Sequence, residues 1–316
     1  MSIDDPRIER ILAAASRAPS VHNTQPWSVH VHGTTLDVRA DDSRRLTHAD
    51  PAGREMLISC GAFLANLRVA ARRESFRPVL TLLPDDADPA LVARVDLVPG
   101  VLPDADELDL AVAIERRATS RVPFEDQPLD ADVVDDLDKA ATSEGARFVT
   151  LAPQAPERTV LLDLVREAEE AAGKDHTGRV EQARWVTSDP DRPDGIPVAA
   201  LGPASDDALA PVRHFGGDST SDRAAFEHRS TLAVLTTPGD SVRDWLVAGQ
   251  ALERVLLTAT TYFVHASFAT TVLENPTTRA ALAAALDAGA PQMVLRLGYS
   301  ATSPRTPRRP ADDVLR

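Results

Sequence analysis

Apolar side chains recur every three or four residues in several stretches of this chain, the spacing that turns one face of an α-helix towards a protein core. The first such stripe consists of Ile8, Ile11, Leu12 and Ala15. Asp4 or Asp5 can cap this helix, and Pro6 suits its first turn. The pattern therefore predicts a helix that ends before Pro19.

The two longest helical patterns cover residues 54–75 and 241–266. Within them, "GAFLANLRVAA" (61–71) and "GQALERVLLTA" (249–259) align without gaps and share Gly, Leu and Ala at corresponding places. Two extended segments are expected after each helix. This similarity favours a duplicated α+β unit, and two unrelated amphipathic helices that both use glycine for close packing are the alternative.

Short runs of alternating or continuous apolar residues predict the strands. "WSVHVHGTTLDVRAD" predicts a hairpin with its turn at Gly33. The other predicted extended segments are "PVLTLLP", "ARVDLVPG", "ARFVTL", "STLAVLTT", "TTVLENP" and "PQMVLRLGYS". Shorter helices are predicted over 108–117, "ADVVDDLDKAATSEG", 157–172, 181–187 and 277–288.

Residues 189–222 are dense in Pro, Gly, Asp and Ser and predict a long irregular segment. Segments of this length inside a compact protein are usually functional covers or disordered. The apolar residues that such a cover could pack are Ile196, Val198, Leu201, Val212 and Phe215. They favour a lid, with disorder as the alternative.

The composition is that of a soluble globular protein, with 316 residues, 43% hydrophobic and 26% charged. No apolar run is long enough to span a bilayer, and the N-terminus lacks the features of a secretory signal, so we expect a cytoplasmic protein without membrane contact. The net charge of −14 argues against nonspecific nucleic-acid binding.

Several common chemistries have no motif in this chain. The single cysteine, Cys60, lies in an apolar helical run and is expected to be a buried, inert thiol. The histidines lack acidic or cysteine neighbours at ligand spacing, so no metal site is predicted. Neither a glycine-rich nucleotide loop nor a GxSxG elbow occurs.

Three polar segments remain as candidates for binding. "APSVHNTQPW" (18–27) offers amides and hydroxyls that could match a planar heterocycle, although a rigid turn has a similar composition. "ERRATSRVPF" (115–124) combines arginines with hydroxyls that suit a phosphate, and a solvated basic helix end is the alternative. "SPRTPRRPADDV" (303–314) holds further arginines among prolines, and a disordered basic tail is the alternative.

Taken together and in order, these segments resemble the flavin-dependent nitroreductase fold, and most closely the single-chain Acg family of FMN-binding proteins. The resemblance also includes "DPAGREMLISCGAFLANLRVA", "AGQALERVLLTAT" and "PQMVLRLGY" and covers nearly the whole chain. It implies an α+β fold in which two duplicated halves, 1–104 and 105–316, mimic the usual interlocked homodimer as one compact unit. The first half keeps the loop and the second half keeps the arginine segments, which implies one complete flavin site per chain.

The resemblance also implies which residues contact the flavin ring. Pro19, Ser20 and Asn23 match the loop that lines the isoalloxazine. Glu274 and Asn275 match a Glu-Gly pair whose backbone approaches flavin N5, with asparagine in place of the glycine.

The arginine segments match the phosphate side of the family's site. Arg117 and Thr119 would hold the FMN phosphate, while Arg308 and Arg309 would add positive charge. Arg121 matches the basic residue near flavin N1 and O2, where a cation stabilises the reduced form.

The implied activity is that of an FMN-binding oxidoreductase. Hydride would enter at flavin N5 from NADPH or NADH and leave to an electron-poor acceptor such as a nitroaromatic or quinone, without a dedicated catalytic acid or base. One alternative is a protein that sequesters FMN behind a closed lid, and another is a vestigial site in a structural partner. Because the halves are fused we expect a monomer, with a homodimer as the alternative.

Overall fold

The computed structural model describes residues 5–205, 223–301 and 304–316. In its N-terminal part the elements are α1 (Pro6–Ala15), β1 (Trp27–His32), β2 (Thr35–Ala40), α2 (Arg54–Arg73), β3 (Phe76–Leu82) and β4 (Leu91–Pro99). The four strands form an antiparallel sheet in the order β1-β2-β4-β3.

The next elements are α3 (Ala105–Arg116), α4 (Ala131–Ser143), β5 (Arg147–Leu151), α5 (Pro156–Lys174), α6 (His176–Ala183), β6 (Val186–Thr187), β7 (Ile196–Pro197), β8 (Ala204–Ser205) and β9 (Arg223–Ala224). They are followed by β10 (Thr231–Thr237), α7 (Val242–Thr261), β11 (Val264–Phe268), α8 (Thr271–Glu274), α9 (Pro276–Leu286), β12 (Ala290–Tyr299) and α10 (Ala311–Val314). A second antiparallel sheet has the order β5-β10-β12-β11.

The two sheets share irregularities that confirm the duplication. Each central helix, α2 and α7, is 20 residues long and is followed by a left-handed residue, Ser75 in one half and Phe263 in the other. The second strand of each sheet carries a register shift at the same place, after Val38 and after Leu235. Two unrelated amphipathic helices would not reproduce these details, so the fold consists of two duplicated α+β halves.

The halves meet where α2 crosses α7, at the glycines that the sequence alignment paired. A Cβ atom on Gly249 would lie 2.7 Å from the Cα of Gly61 and closer still to the carbonyl oxygen of Ile58. A Cβ on Gly61 would in turn lie 2.9 Å from the Cα of Gly249. The two backbones therefore touch, and no larger residue fits at either position.

Each central helix also places a side chain in the core of the other half. Leu246 of α7 belongs to the core built from α1, α2 and the first sheet, whereas Ile58 of α2 belongs to the core around α4, α7 and the second sheet. The end of the chain returns to the first half, because Arg316 donates its backbone N–H to the Val29 carbonyl at 3.0 Å and Val314 is buried in the first core. The halves are thus interlocked.

The structure corrects three predicted elements in the second half. The helix predicted to reach residue 266 ends at Thr261, because left-handed Phe263 reverses the chain into the strand β11, which was not predicted. "TTVLENP" is not extended but forms α8, and Asn275 then caps α9 by accepting a hydrogen bond from Thr277 N at 2.8 Å. The helix predicted over 181–187 instead ends at Ala183.

Two further predictions concern larger parts of the chain. The division into halves at residue 104 stays a prediction. Helix α3 begins one residue later, and its Leu110, Ala113 and Ile114 pack against Leu257 of α7. Of the predicted lid, residues 206–222 lie outside the described residues.

Among the helices that the structure describes, none is long and apolar enough to cross a membrane.

Replacing Gly249 by alanine should destabilise the protein, because the new methyl group has no space between the two helix backbones. Overpacking of this kind costs about 1–3 kcal/mol of unfolding free energy. The midpoint of urea unfolding, followed by far-UV circular dichroism, should fall accordingly.

A matched control is Gly173→Ala in α5, where a Cβ would meet nothing within 4 Å and should raise the midpoint slightly through helix propensity. Equal midpoints for Gly249→Ala and the natural protein would contradict close contact of the helices.

Candidate functional site

The loop between α1 and β1 has a strained backbone. His22, Asn23 and Gln25 have positive φ angles of 46°, 56° and 50°, a conformation that costs non-glycine residues of order 1 kcal/mol each. The carbonyl of Ser20 accepts a hydrogen bond from Asn23 N at 2.9 Å, and its hydroxyl accepts one from Gln25 N at 2.9 Å. Strain that is held in place this way is common at binding sites.

The C-terminal segment braces this loop from the other end of the chain. The backbone N–H of Arg309 donates to Gln25 Oε1 at 2.8 Å, and its guanidinium donates to the Gln25 carbonyl at 3.1 Å. Arg308 donates from Nη1 to Asn23 Oδ1 and from Nη2 to the Arg17 carbonyl, both at 3.0 Å. Three of the predicted site residues are therefore in direct contact or adjacent.

A cleft with an internal volume of about 90 Å³ opens beside the loop. Six predicted residues line it: Pro19, Ser20, Asn23, Thr119, Arg121 and Arg308. Other lining residues are Glu55, Ile58 and Ser59 of α2, Leu252 of α7, Ser267 and Phe268 of β11, and Met293 of β12. Since both halves contribute walls, the cleft lies at the seam between them.

Among the polar lining residues that sequence reasoning missed are Glu55 and Ser59 of α2. Glu55 is buried and pairs with Arg54, whose Nη2 donates to Oε1 at 3.0 Å. Ser59 Oγ donates to the Glu55 carbonyl at 2.7 Å and accepts from Val21 N at 3.2 Å, which ties α2 to the loop. Their signal in the sequence was the presence of polar residues within an otherwise apolar helix.

Four predicted residues do not lie in the lining of the cleft. Arg309 braces the loop as described, and Arg117 is buried behind the wall, with its Nε 3.5 Å from Glu253 Oε1. Glu274 and Asn275 line a neighbouring cleft of about 430 Å³ instead. The two clefts share His22 in their linings.

Positive charge is concentrated behind the cleft. Arg117 Nη2 and Arg308 Nη2 both donate to the Arg17 carbonyl, at 3.3 Å and 3.0 Å. Burial, together with the guanidinium groups of Arg117 and Arg17, lowers the pKa of Arg308 to about 9, and burial also lowers the pKa of Arg117. Within the described part of the chain, the Nε atoms of Arg117 and Arg308 have no hydrogen-bond partner. The cluster is therefore suited to an anion.

The described part of the predicted lid, residues 189–205, closes against the loop. Asn23 Nδ2 donates to the Gly195 carbonyl at 2.8 Å, and Gly195 N donates back to the Asn23 carbonyl at 3.2 Å. Arg121 Nη1 donates to the Ala200 carbonyl at 3.2 Å. This segment therefore covers one side of the cleft, which its Ile196 also lines.

The second half has a much shorter connection at the place that corresponds to the loop. Residues 144–146 alone join α4 to β5, and Gly145 turns the chain with a φ of 89°. Arg68 donates there to Glu144 Oε2 at 2.7 Å and to Gln250 Oε1 at 2.9 Å. The cleft beside the first loop therefore has no built counterpart at this position of the described structure.

Burial has made Cys60 inert. The thiol is fully buried in α2, and burial raises its pKa to about 12. It therefore stays protonated at neutral pH, as the sequence predicted.

Comparisons with known proteins agree with the sequence resemblance. The Nitroreductase family matches residues 1–49. The Mycobacterium tuberculosis protein named "Putative NAD(P)H nitroreductase acg" is 31% identical over 318 residues, which is 98% of this chain and 95% of that protein. A second M. tuberculosis protein, named "Putative NAD(P)H nitroreductase Rv3131", is 30% identical over 324 residues, covering 99% of this chain and 92% of the relative.

Solved structures are more distant. A nitroreductase with bound FMN from Bacteroides fragilis is 14% identical, with a TM-score of 0.39 over 63% of this chain and 92% of that one. A nitroreductase-like structure from Anabaena variabilis has 14% identity and a TM-score of 0.48 over 93% of this chain and 88% of that one. The identity to the mycobacterial proteins extends over nearly the whole chain, and the chain therefore belongs to the nitroreductase family, with the acg protein among its relatives.

Proposed function

We propose that this protein is an FMN-binding oxidoreductase that carries hydride from NADPH or NADH to an electron-poor acceptor such as a nitroaromatic or quinone. The observation that carries the proposal is the group of buried guanidinium groups beside a cleft that the strained loop lines. Membership of the nitroreductase family supports a reductase, and the NAD(P)H in the names of the mycobacterial relatives supports a nicotinamide donor.

The charge behind the cleft fits the phosphate of FMN. Arg308 lines the cleft, and burial together with the guanidinium groups of Arg117 and Arg17 disfavours its charged form and lowers its pKa. A phosphate would supply the missing negative charge and accept hydrogen bonds from guanidinium groups. We assign direct contact to Arg308 and Thr119, and a supporting charge to Arg117, which lies behind them. Arg309 contributes by bracing the loop.

The remaining lining fits a flat ring with polar edges. Ile58, Leu252 and Met293 offer apolar walls, while Ser20 and Asn23 offer hydrogen-bonding groups. We assign Pro19, Ser20 and Asn23 to the ring, and Arg121 to its N1 and O2 edge. The proposed approach of Glu274 and Asn275 to N5 would have to come from the adjoining cleft.

Bound FMN would supply the hydride-transfer chemistry, and the chain would supply binding, orientation and a fixed positive charge. Arg121 keeps that charge beside the cleft, held by its bond to Ala200. The segment containing Ile196 would cover one side of the bound ring.

One observation favours the alternative, a protein that sequesters FMN with little turnover. The described part of the predicted lid is bonded to Asn23, Gln25 and Arg121, which are residues of the loop and of the cleft wall. While those bonds persist, the segment stands over the face where a nicotinamide or an acceptor would have to stack.

The purified protein should take up FMN, and Arg308→Ala should weaken the binding. Loss of a hydrogen bond to a charged group costs about 1.5–3 kcal/mol, which is roughly a tenfold to hundredfold increase in Kd. Quenching of FMN fluorescence on titration with protein measures the change.

The matched control is Arg305→Ala, which removes an exposed arginine from the same segment and should leave Kd unchanged. Equal loss of affinity in both variants would show that only general charge is involved, and failure of the natural protein to bind FMN would refute the proposed function.

Anaerobic mixing of the FMN-loaded protein with NADPH or NADH should bleach the visible absorbance band of the flavin within seconds. A stopped-flow spectrophotometer gives the rate, and dithionite serves as a control for reducibility. Prompt reduction by dithionite with none by either nucleotide would favour sequestration over turnover.

A further inference from the structure

A buried carboxylate lies next to the arginine cluster, on the side away from the cleft. Glu253 of α7 is 0% exposed, and its Oε1 lies 3.5 Å from Arg117 Nε. Neither of its oxygens has a hydrogen-bond partner among the residues described. The amide of Asn66 faces the carboxylate from α2 and lowers its pKa, although the two side chains do not reach full hydrogen-bond geometry.

Buried polar atoms without partners are rare and call for an explanation. Several such atoms belong to this group of residues. In the described chain they are both oxygens of Glu253, both amide atoms of Asn66 and the Nε atoms of Arg117 and Arg308. An isolated buried carboxylate would take up a proton, whereas one beside two guanidinium groups is held near the balance point between its two forms.

Two charged side chains from the surrounding elements face Glu253. Arg117 follows α3 and Arg308 lies in the C-terminal segment, and both lower the pKa of the carboxylate. Burial outweighs them and raises this pKa to about 7. Arg17, after α1, lowers the pKa of Arg117 and Arg308 and itself pairs with Glu115 at 3.2 Å.

We propose that Glu253 and the phosphate of the bound ligand compete for the guanidinium groups of Arg117 and Arg308, and that Glu253 takes up one proton from solvent when the phosphate binds. The inference rests on the proposed function, since it assumes that the phosphate binds at this cluster. Glu253 then sets how much negative charge the site accepts and at which pH.

The sign of the effect follows from linkage. A second anion at the same cations raises the pKa of Glu253 in the complex, so the complex holds more protons than the free protein above neutral pH. Affinity for a phosphate ligand therefore decreases as pH rises through 7, by up to about tenfold per pH unit. The phosphate itself, with a second pKa of about 6, stays a dianion over this range and does not contribute.

Titration calorimetry of the protein with FMN at pH 7.5, in two buffers of different ionisation enthalpy, counts the protons taken up. We expect uptake of more than half a proton per FMN, and none for riboflavin, which has the same ring and lacks the phosphate. Uptake that is equal for FMN and riboflavin, or absent for both, would overturn the inference without affecting the proposed binding of FMN.

Glu253→Gln keeps the size of the side chain and removes its titratable group, so proton uptake at pH 7.5 should fall to near zero and Kd for FMN should change little between pH 7 and 8. At pH 8.5 this variant should bind FMN about tenfold more tightly than the natural protein. Persistence of the pH dependence in Glu253→Gln would refute the role of this residue.

The comparison of FMN with riboflavin needs only the natural protein, so the inference remains testable if the variant does not fold. If FMN fails to bind at all, the proposed function fails, and inorganic phosphate becomes the probe. Proton uptake on phosphate binding would then support the role of Glu253, and phosphate binding without uptake, or no binding, would refute it.

Discussion

The contact between Gly61 and Gly249 is the constraint on which the rest of this structure depends. Because neither residue has a side chain, α2 and α7 approach until their backbones touch, and each helix can place a side chain in the core of the other half. This short separation brings the loop of the first half and the arginines of the second to one cleft. The packing of the two helices therefore determines where the residues of the site lie.

The electrostatics of the seam oppose its packing. Three arginines, Arg17, Arg117 and Arg308, lie together, and burial lowers the pKa of Arg117 and Arg308. Arg17 pairs with the exposed carboxylate of Glu115 at 3.2 Å, which leaves Glu253 as the carboxylate beside the other two. Burying charged groups costs desolvation free energy, and the attraction to one weakly paired carboxylate does not offset that cost. A bound anion would offset that cost, so the interlocked cores stabilise an arrangement that is unfavourable without a ligand.

Local sequence predicted what local forces determine. The aligned glycines revealed the duplication, since close helix contact leaves a mark at single positions, and the loop and arginine segments were found from their composition. The end of α7 was missed because the apolar stripe continues through Phe263, where only the tertiary structure imposes a left-handed turn. The burial of Arg117 beside Glu253 depends on residues far apart in sequence, and no local pattern could reveal it.

The short connection at residues 144–146 has a consequence for how such a chain can change over generations. In a symmetric homodimer one gene encodes both walls of two identical sites, so every substitution appears in each wall and must be tolerated in both settings. In the fused chain the two walls are encoded separately. Gly145 turns the chain at the position where the second half has only a short connection, so a substitution in one half does not have to be tolerated in the other.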